Sequence, residues 1–132
     1  MHKTRGAGRV ILLAHGSKAE SWKQPFELLL QRLRRDGKHG NLSLAYMEFT
    51  GPTLEDKFEE ARADSVEKIA VLPLFIAVGT HVGRDVPRRI AAYQSRYPEI
   101  EIELLPALGE DAEFIEILAA YIAGYLRKEE SV

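Results

Sequence analysis

The chain has 132 residues, enough for one domain with a hydrophobic core of its own. Hydrophobic residues at 45% against 29% charged exclude a disordered chain, and the lack of any cysteine excludes disulfides, iron–sulfur clusters, thiolate zinc sites and a cysteine nucleophile. Eighteen basic residues against 20 acidic ones leave a formal charge of −2, so no basic field invites a nucleic acid.

Residues 1–8 are polar and read as a flexible N-terminus to a single domain spanning 1–132. The first apolar run, 9–14, is nearly continuous, as a strand buried on both faces must be. It is far too short for a signal sequence or a membrane span, so a cytoplasmic protein without a membrane partner is expected. Phe26, Leu29, Leu30 and Leu33 then recur at helical spacing, with Arg32, Arg34 and Arg35 on the other side. A turn signal at 36–41 contains His39, read as solvated; His2 lies in the loose N-terminus.

The second strand is read over 42–47. Thr53 opens a helix as a capping residue, and Leu54, Phe58 and Ala61 mark its inward face. The third strand is read over 69–75. Pro73 sits awkwardly there, because a central strand needs every N–H; it belongs where pairing has ended or on a bulge. Pro87 fits the first turn of a third helix, where its missing N–H costs nothing. Run 100–105 alternates polar and apolar, as an edge strand does. The last helix begins among Glu110, Asp111 and Glu113 and ends at Arg127 and Lys128, as the helix dipole favours. Phe114, Leu118, Tyr121, Ile122 and Tyr125 fall on one stripe of it.

The order βαβαβαβα implies an α/β fold: a four-stranded, mostly parallel sheet with helices on both faces. Right-handed crossovers leave few strand orders, of which the flavodoxin-like 2-1-3-4 is favoured. In such a sheet ligands bind beyond the carboxyl ends of the strands, where the order reverses. That crevice lies between strands one and three. His15-Gly16-Ser17 and Gly79-Thr80-His81 follow those strands, and Glu48 ends strand two. Two imidazoles and a carboxylate suit Co²⁺, Ni²⁺, Fe²⁺ or Zn²⁺, and two histidines leave coordination positions open, as transfer or catalysis requires. A histidine after a strand also serves as a loop residue bonded to backbone, and both readings fit either histidine alone. Arg84 and Arg88, four apart, suit a polyanionic ligand or a solvated face bridged to Asp85. No Walker loop, dinucleotide fingerprint or nucleophile elbow is present.

Four blocks in order carry a specific resemblance. They are Leu12-Leu13-Ala14-His15-Gly16-Ser17; Trp22 with Pro25-Phe26; Tyr46-Met47-Glu48-Phe49 with Pro52-Thr53-Leu54; and Leu72-Pro73-Leu74-Phe75 with Gly79-Thr80-His81-Val82 and Asp85-Val86-Pro87. Together they resemble the small class II chelatases, the CbiX-type sirohydrochlorin cobaltochelatases. Thr80 and Gly83 depart from the glycine and basic residue common there. The resemblance implies insertion of a divalent metal (Co²⁺ foremost, with Ni²⁺ or Fe²⁺ as alternatives) into sirohydrochlorin, a tetrapyrrole rich in carboxylates. It implies His15 and His81 as the metal-binding and catalytic pair and Glu48 as an assistant. Ser17, Lys18, Arg84 and Arg88 would meet the macrocycle. The metal would be substrate, with no permanently bound cofactor. Longer relatives hold two such halves, so a chain of one half implies a homodimer, for which Ile115, Ile117, Leu118 and Ile122 offer an apolar surface. The competing reading is a non-catalytic metal-binding or metal-delivery domain using the same histidines.

Overall fold

A computed structural model describes residues 8–36 and 41–130. The N-terminal segment with His2 and the core of the 36–41 turn with His39 lie outside the described residues. Four strands alternate with four helices. These are β1 (Arg9–Ala14), α1 (Gln24–Arg35), β2 (Leu42–Tyr46), α2 (Leu54–Ala63), β3 (Lys68–Pro73), α3 (Thr80–Arg96), β4 (Glu101–Leu104) and α4 (Ala112–Glu130), with short 3-10 turns at Glu20–Lys23 and Leu108–Glu110. All pairings are parallel and the order is β2-β1-β3-β4. The reversal of order falls between β1 and β3, as expected. No helix among the described residues is long and apolar enough to cross a membrane.

The sheet has a core on each face. On one, Ile11, Leu13, Ile69 and Val71 pack with Leu54, Phe58 and Ala61 of α2 and with Val86, Ile90 and Tyr93 of α3. On the other, Leu12, Ala14, Leu44 and Tyr46 meet Trp22, Phe26, Leu30 and Leu33. Alternate residues of β1 therefore feed opposite cores, which is why its sequence is apolar throughout. Thr53 caps α2 reciprocally: its hydroxyl accepts from the Asp56 N–H at 3.0 Å, and the Asp56 carboxylate accepts from the Thr53 N–H at 2.9 Å.

Pro73 closes β3 without a lost bond. The Leu74 N–H donates to Leu13 on the β1 side at 2.8 Å, and the Val71 carbonyl accepts from Leu105 on the β4 side at 2.9 Å. Residues 71 and 73 share a side of the strand, so the missing Pro73 donor points past the end of β4, where pairing is over.

Two expectations are corrected. Pro87 is not in the first turn of α3 but inside the helix, which starts at Thr80. The apolar row Val82, Val86, Ile90 begins before the proline, and burying Val86 fully and Val82 in part offsets the ~3 kcal/mol a proline costs inside a helix. Leu29 is exposed, and Trp22 from the preceding 3-10 turn fills the inward row instead. The apolar stripe of α4 is largely outside: Tyr121, Ile122 and Tyr125 are exposed, and no residue of α4 is fully buried. The helix packs chiefly on the turn Leu108–Glu110, so most of its apolar surface meets no other element of the same chain.

Candidate metal-handling site at the switch point

Strand β1 ends at Ala14, and its first residue beyond the sheet is His15. Its ring stacks on Phe75, with centroids 4.1 Å apart and planes 24° from parallel. Phe75 stands two residues beyond β3 and is only 2% exposed, so it forms a rigid floor that holds the imidazole while His15 itself stays open to solvent. Gly16 has φ of +106°, and a Cβ there would collide with the carbonyl oxygen of Glu48. The glycine therefore lets two backbones touch, and the Glu48 N–H donates to the His15 carbonyl at 3.1 Å. Glu48 is thus tied to His15 through main chain, and its exposed side chain stands two residues beyond β2.

The next residues continue this rim. The Ser17 hydroxyl accepts from the Ala19 N–H at 3.1 Å, a local turn that uses one of its lone pairs. The Lys18 ammonium lies 5.7 Å over the ring of Phe49.

His81 approaches from β3 through the loop that leads into α3. Gly79 is the helix N-cap, in extended backbone, and His81 is the second residue of the helix. A recess of about 380 Å³ is lined by Thr80, His81, Arg84, Asp85 and Arg88. The two arginines singled out in the sequence are therefore brought together with His81, one turn apart on one face. Arg89 is spent elsewhere. It donates two hydrogen bonds to Glu55, at 2.8 and 2.6 Å, one to the Met47 carbonyl at 3.3 Å, and pairs with Asp85 at 3.6 Å. Those hydrogen bonds hold the Glu55 carboxyl below its ordinary value, against the opposing effect of burial. Asp85 thus bridges to Arg89, the residue four positions on.

Among the described residues no group of three or more His, Asp or Glu converges on one point as a closed metal cage. His15, His81 and Glu48 share the carboxyl rim but do not form a three-donor set. The chemistry on offer is two separate imidazoles, one carboxylate and a cationic recess, all open to solvent. Two contributors escaped the residue-by-residue reading: Phe75, which orients His15, and Phe49, which stands beside Lys18. Both lie inside the sequence blocks noted above, but nothing in their spacing marks their contacts.

Comparison with known proteins identifies the family and the fold. Residues 9–124 match the CbiX family. The chain is 34% identical over 118 residues to the sirohydrochlorin cobaltochelatase of Saccharolobus solfataricus, covering 83% of this chain and 88% of that protein. Its fold is similar to that of the CbiX protein of Marinobacter aquaeolei VT8, with a TM-score of 0.80 and 30% identity over 92% of this chain and 99% of the other. It is also similar to the sirohydrochlorin chelatase SirB of Bacillus subtilis in complex with cobalt, with a TM-score of 0.72 and 27% identity; there it covers 89% of itself but 51% of the partner structure.

Proposed function

This chain belongs to the CbiX family, and we propose that it is a sirohydrochlorin chelatase that inserts Co²⁺ into the macrocycle in tetrapyrrole biosynthesis. The observation that carries the reading is the placement of His15 and His81 after β1 and β3, the two strands that flank the switch point of a CbiX fold.

The reaction exchanges one divalent ion for two pyrrole protons. A metal donor for this exchange must hold the ion yet release it. Two imidazoles do so, because they leave positions for the incoming macrocycle nitrogens. His15 and His81 are assigned to the ion. One lone pair cannot serve metal and proton together, so the departing protons pass to Glu48, or to a histidine once the ion has left it for the macrocycle nitrogens, as general base. Neutral imidazole accepts a proton readily near neutral pH. The stack on Phe75 fixes the His15 ring plane and keeps its reorganisation small. Arg84 and Arg88 in the His81 recess, with Ser17 and Lys18 just beyond His15, receive the carboxylates of the substrate. Cobalt is favoured by the cobaltochelatase at 34% identity and by the cobalt complex of SirB. Imidazole and carboxylate also accept Ni²⁺ and Fe²⁺.

The functional unit is proposed to be a homodimer. The chain spans about half of SirB, and the face of α4 that no other element covers includes Ile117 at 68% and Tyr121 at 77% exposure. A contiguous apolar face of this kind is the expected mark of an interface.

Anaerobic absorbance assays with sirohydrochlorin and Co²⁺, Ni²⁺ or Fe²⁺, each against a protein-free control, test the activity. Insertion should be fastest with Co²⁺, and His15→Ala and His81→Ala should each abolish it while the fold survives, with only a small fall in melting temperature in His15→Ala from the lost stack on Phe75. Full turnover in either variant would remove that histidine from the mechanism. Stoichiometric metal binding without turnover in the wild type would establish a metal-delivery domain instead.

A further inference from the structure

The bend between β2 and α2 displays a side chain that the proposed chemistry does not use. Phe49 has φ of +70°, a left-handed conformation in which a bulky residue is a true outlier, and it is 61% exposed. A glycine would remove the backbone strain, and a polar residue would remove the exposed ring. The flanking backbone enforces the conformation. The Met47 N–H donates to Ala14 at 2.8 Å and the Glu48 N–H to His15 at 3.1 Å. The Tyr46 N–H donates to Pro52 at 2.9 Å, and the Lys23 ammonium reaches the Gly51 carbonyl at 3.4 Å. Strain held by so many contacts concentrates where a protein grips a ligand. The position agrees: Phe49 follows the residue bonded to the His15 carbonyl, and the Lys18 ammonium stands over its ring.

We propose that Phe49 is a substrate-binding platform on which a flat tetrapyrrole face stacks beside His15, while Lys18 leaves the ring to pair with a peripheral carboxylate. The proposal rests on the chelatase reading and adds to it the residue that orients the macrocycle. Metal enters such a ring through its face. The support must therefore hold the ring against one face and leave its nitrogens accessible, and an aromatic side chain at the rim does both. Lys18 supplies the matching charge: the cation–π contact keeps the ammonium near the ring when no anion is present, and a carboxylate in the same place offers a stronger partner.

The test uses Phe49→Ala, Phe49→Gly and Phe49→Trp in the full chain, with three readouts: calorimetric titration with metal-free sirohydrochlorin, steady-state Co²⁺ insertion, and thermal unfolding. The alanine and glycine variants should bind the macrocycle about tenfold more weakly and raise KM by a similar factor with kcat little changed, the size expected for one aromatic stacking contact. Tryptophan should restore both. Phe49→Gly should melt at or above the wild-type temperature, because glycine accepts the positive φ. A structural role would instead lower the melting temperature of both small variants and spare Kd. Wild-type Kd and KM in the alanine and glycine variants would overturn the platform alone. A wild type that neither binds nor metallates sirohydrochlorin would overturn the chelatase reading and the platform with it.

Discussion

Gly16→Ala is the most direct probe of how the fold builds its site, because two separate costs can be counted. At φ of +106° an alanine is in a region that side chains rarely adopt, worth about 1–2 kcal/mol. Its Cβ would also drive into the Glu48 carbonyl oxygen, so the chains at 16 and 48 must separate. That separation breaks the bond from the Glu48 N–H to the His15 carbonyl, for roughly 0.5–1.5 kcal/mol more. The sum, about 1.5–3.5 kcal/mol, corresponds to a fall in melting temperature of roughly 10 °C for a domain of this size. Displacing His15 from the bend by about 1 Å should also lower insertion on the order of a hundredfold. Gly79→Ala is the matched control. Gly79 has φ of −74°, and a Cβ there meets nothing within 4 Å. Its melting temperature should stay within about 2 °C of the wild type. Thermal unfolding by circular dichroism on both variants decides the matter. A Gly16→Ala protein that melts with the Gly79→Ala control would refute the reasoning that backbone contact at 16 and 48 shapes the rim.

Arg88→Ala should raise KM for sirohydrochlorin about tenfold and leave kcat nearly intact; a loss confined to kcat would place Arg88 in the chemistry and not in carboxylate recognition. Glu55→Gln should narrow its stability gap to the wild type as pH falls. The Glu55 carboxyl is held below its ordinary 4.5 by hydrogen bonds from Arg89, so its contribution is complete above about pH 4.5 and is lost as pH drops through the lowered value. Melting curves of both proteins should converge in acid, and a gap constant with pH would remove the ion pair as its source. Ile117→Glu with Tyr121→Glu should convert a dimer to a monomer in sedimentation analysis without unfolding it, since both side chains are exposed on α4; an unchanged mass would exclude that face as the interface.

The topology was legible because its signals are local and repeated. Apolar runs at β1 and β3 announce strands buried on both faces, and the alternation with helices leaves a parallel sheet as its consequence. From there the switch-point rule places His15 and His81 on one rim although they are far apart in sequence. The misreadings came from contacts between segments. Pro87 looked like a helix start, but the apolar row from Val82 onward outweighs its missing donor. Spacing set Arg84 and Arg88 on one face, but it does not show that Arg89, only 18% exposed in its side chain, is spent on Glu55, 34 residues away. The stripe on α4 has the period of a buried helix face, which shows that a side must be covered but not by which chain.

The openness of the rim follows from the task assigned to it. A third protein donor would fill a further coordination position that a macrocycle nitrogen must take, and would lower the free energy of the bound ion. Affinity gained in that ground state raises the barrier to transfer unless the transition state gains equally. The described residues offer no such third donor. The arrangement instead rigidifies what it has: a ring pinned on Phe75, a turn locked by Gly16 against Glu48, and a helix start that carries His81 in the same recess as Arg84 and Arg88. On the proposed reading, selectivity lies in holding the macrocycle and not in holding the metal. Variants of the cationic recess and of the aromatic rim should therefore change discrimination among tetrapyrroles, while the ranking of Co²⁺, Ni²⁺ and Fe²⁺ stays as the two imidazoles set it. Parallel insertion assays on sirohydrochlorin and on a tetrapyrrole with fewer carboxylates separate the two effects. A metal ranking that changes in Arg84→Ala or Arg88→Ala would show that the recess reaches the ion after all.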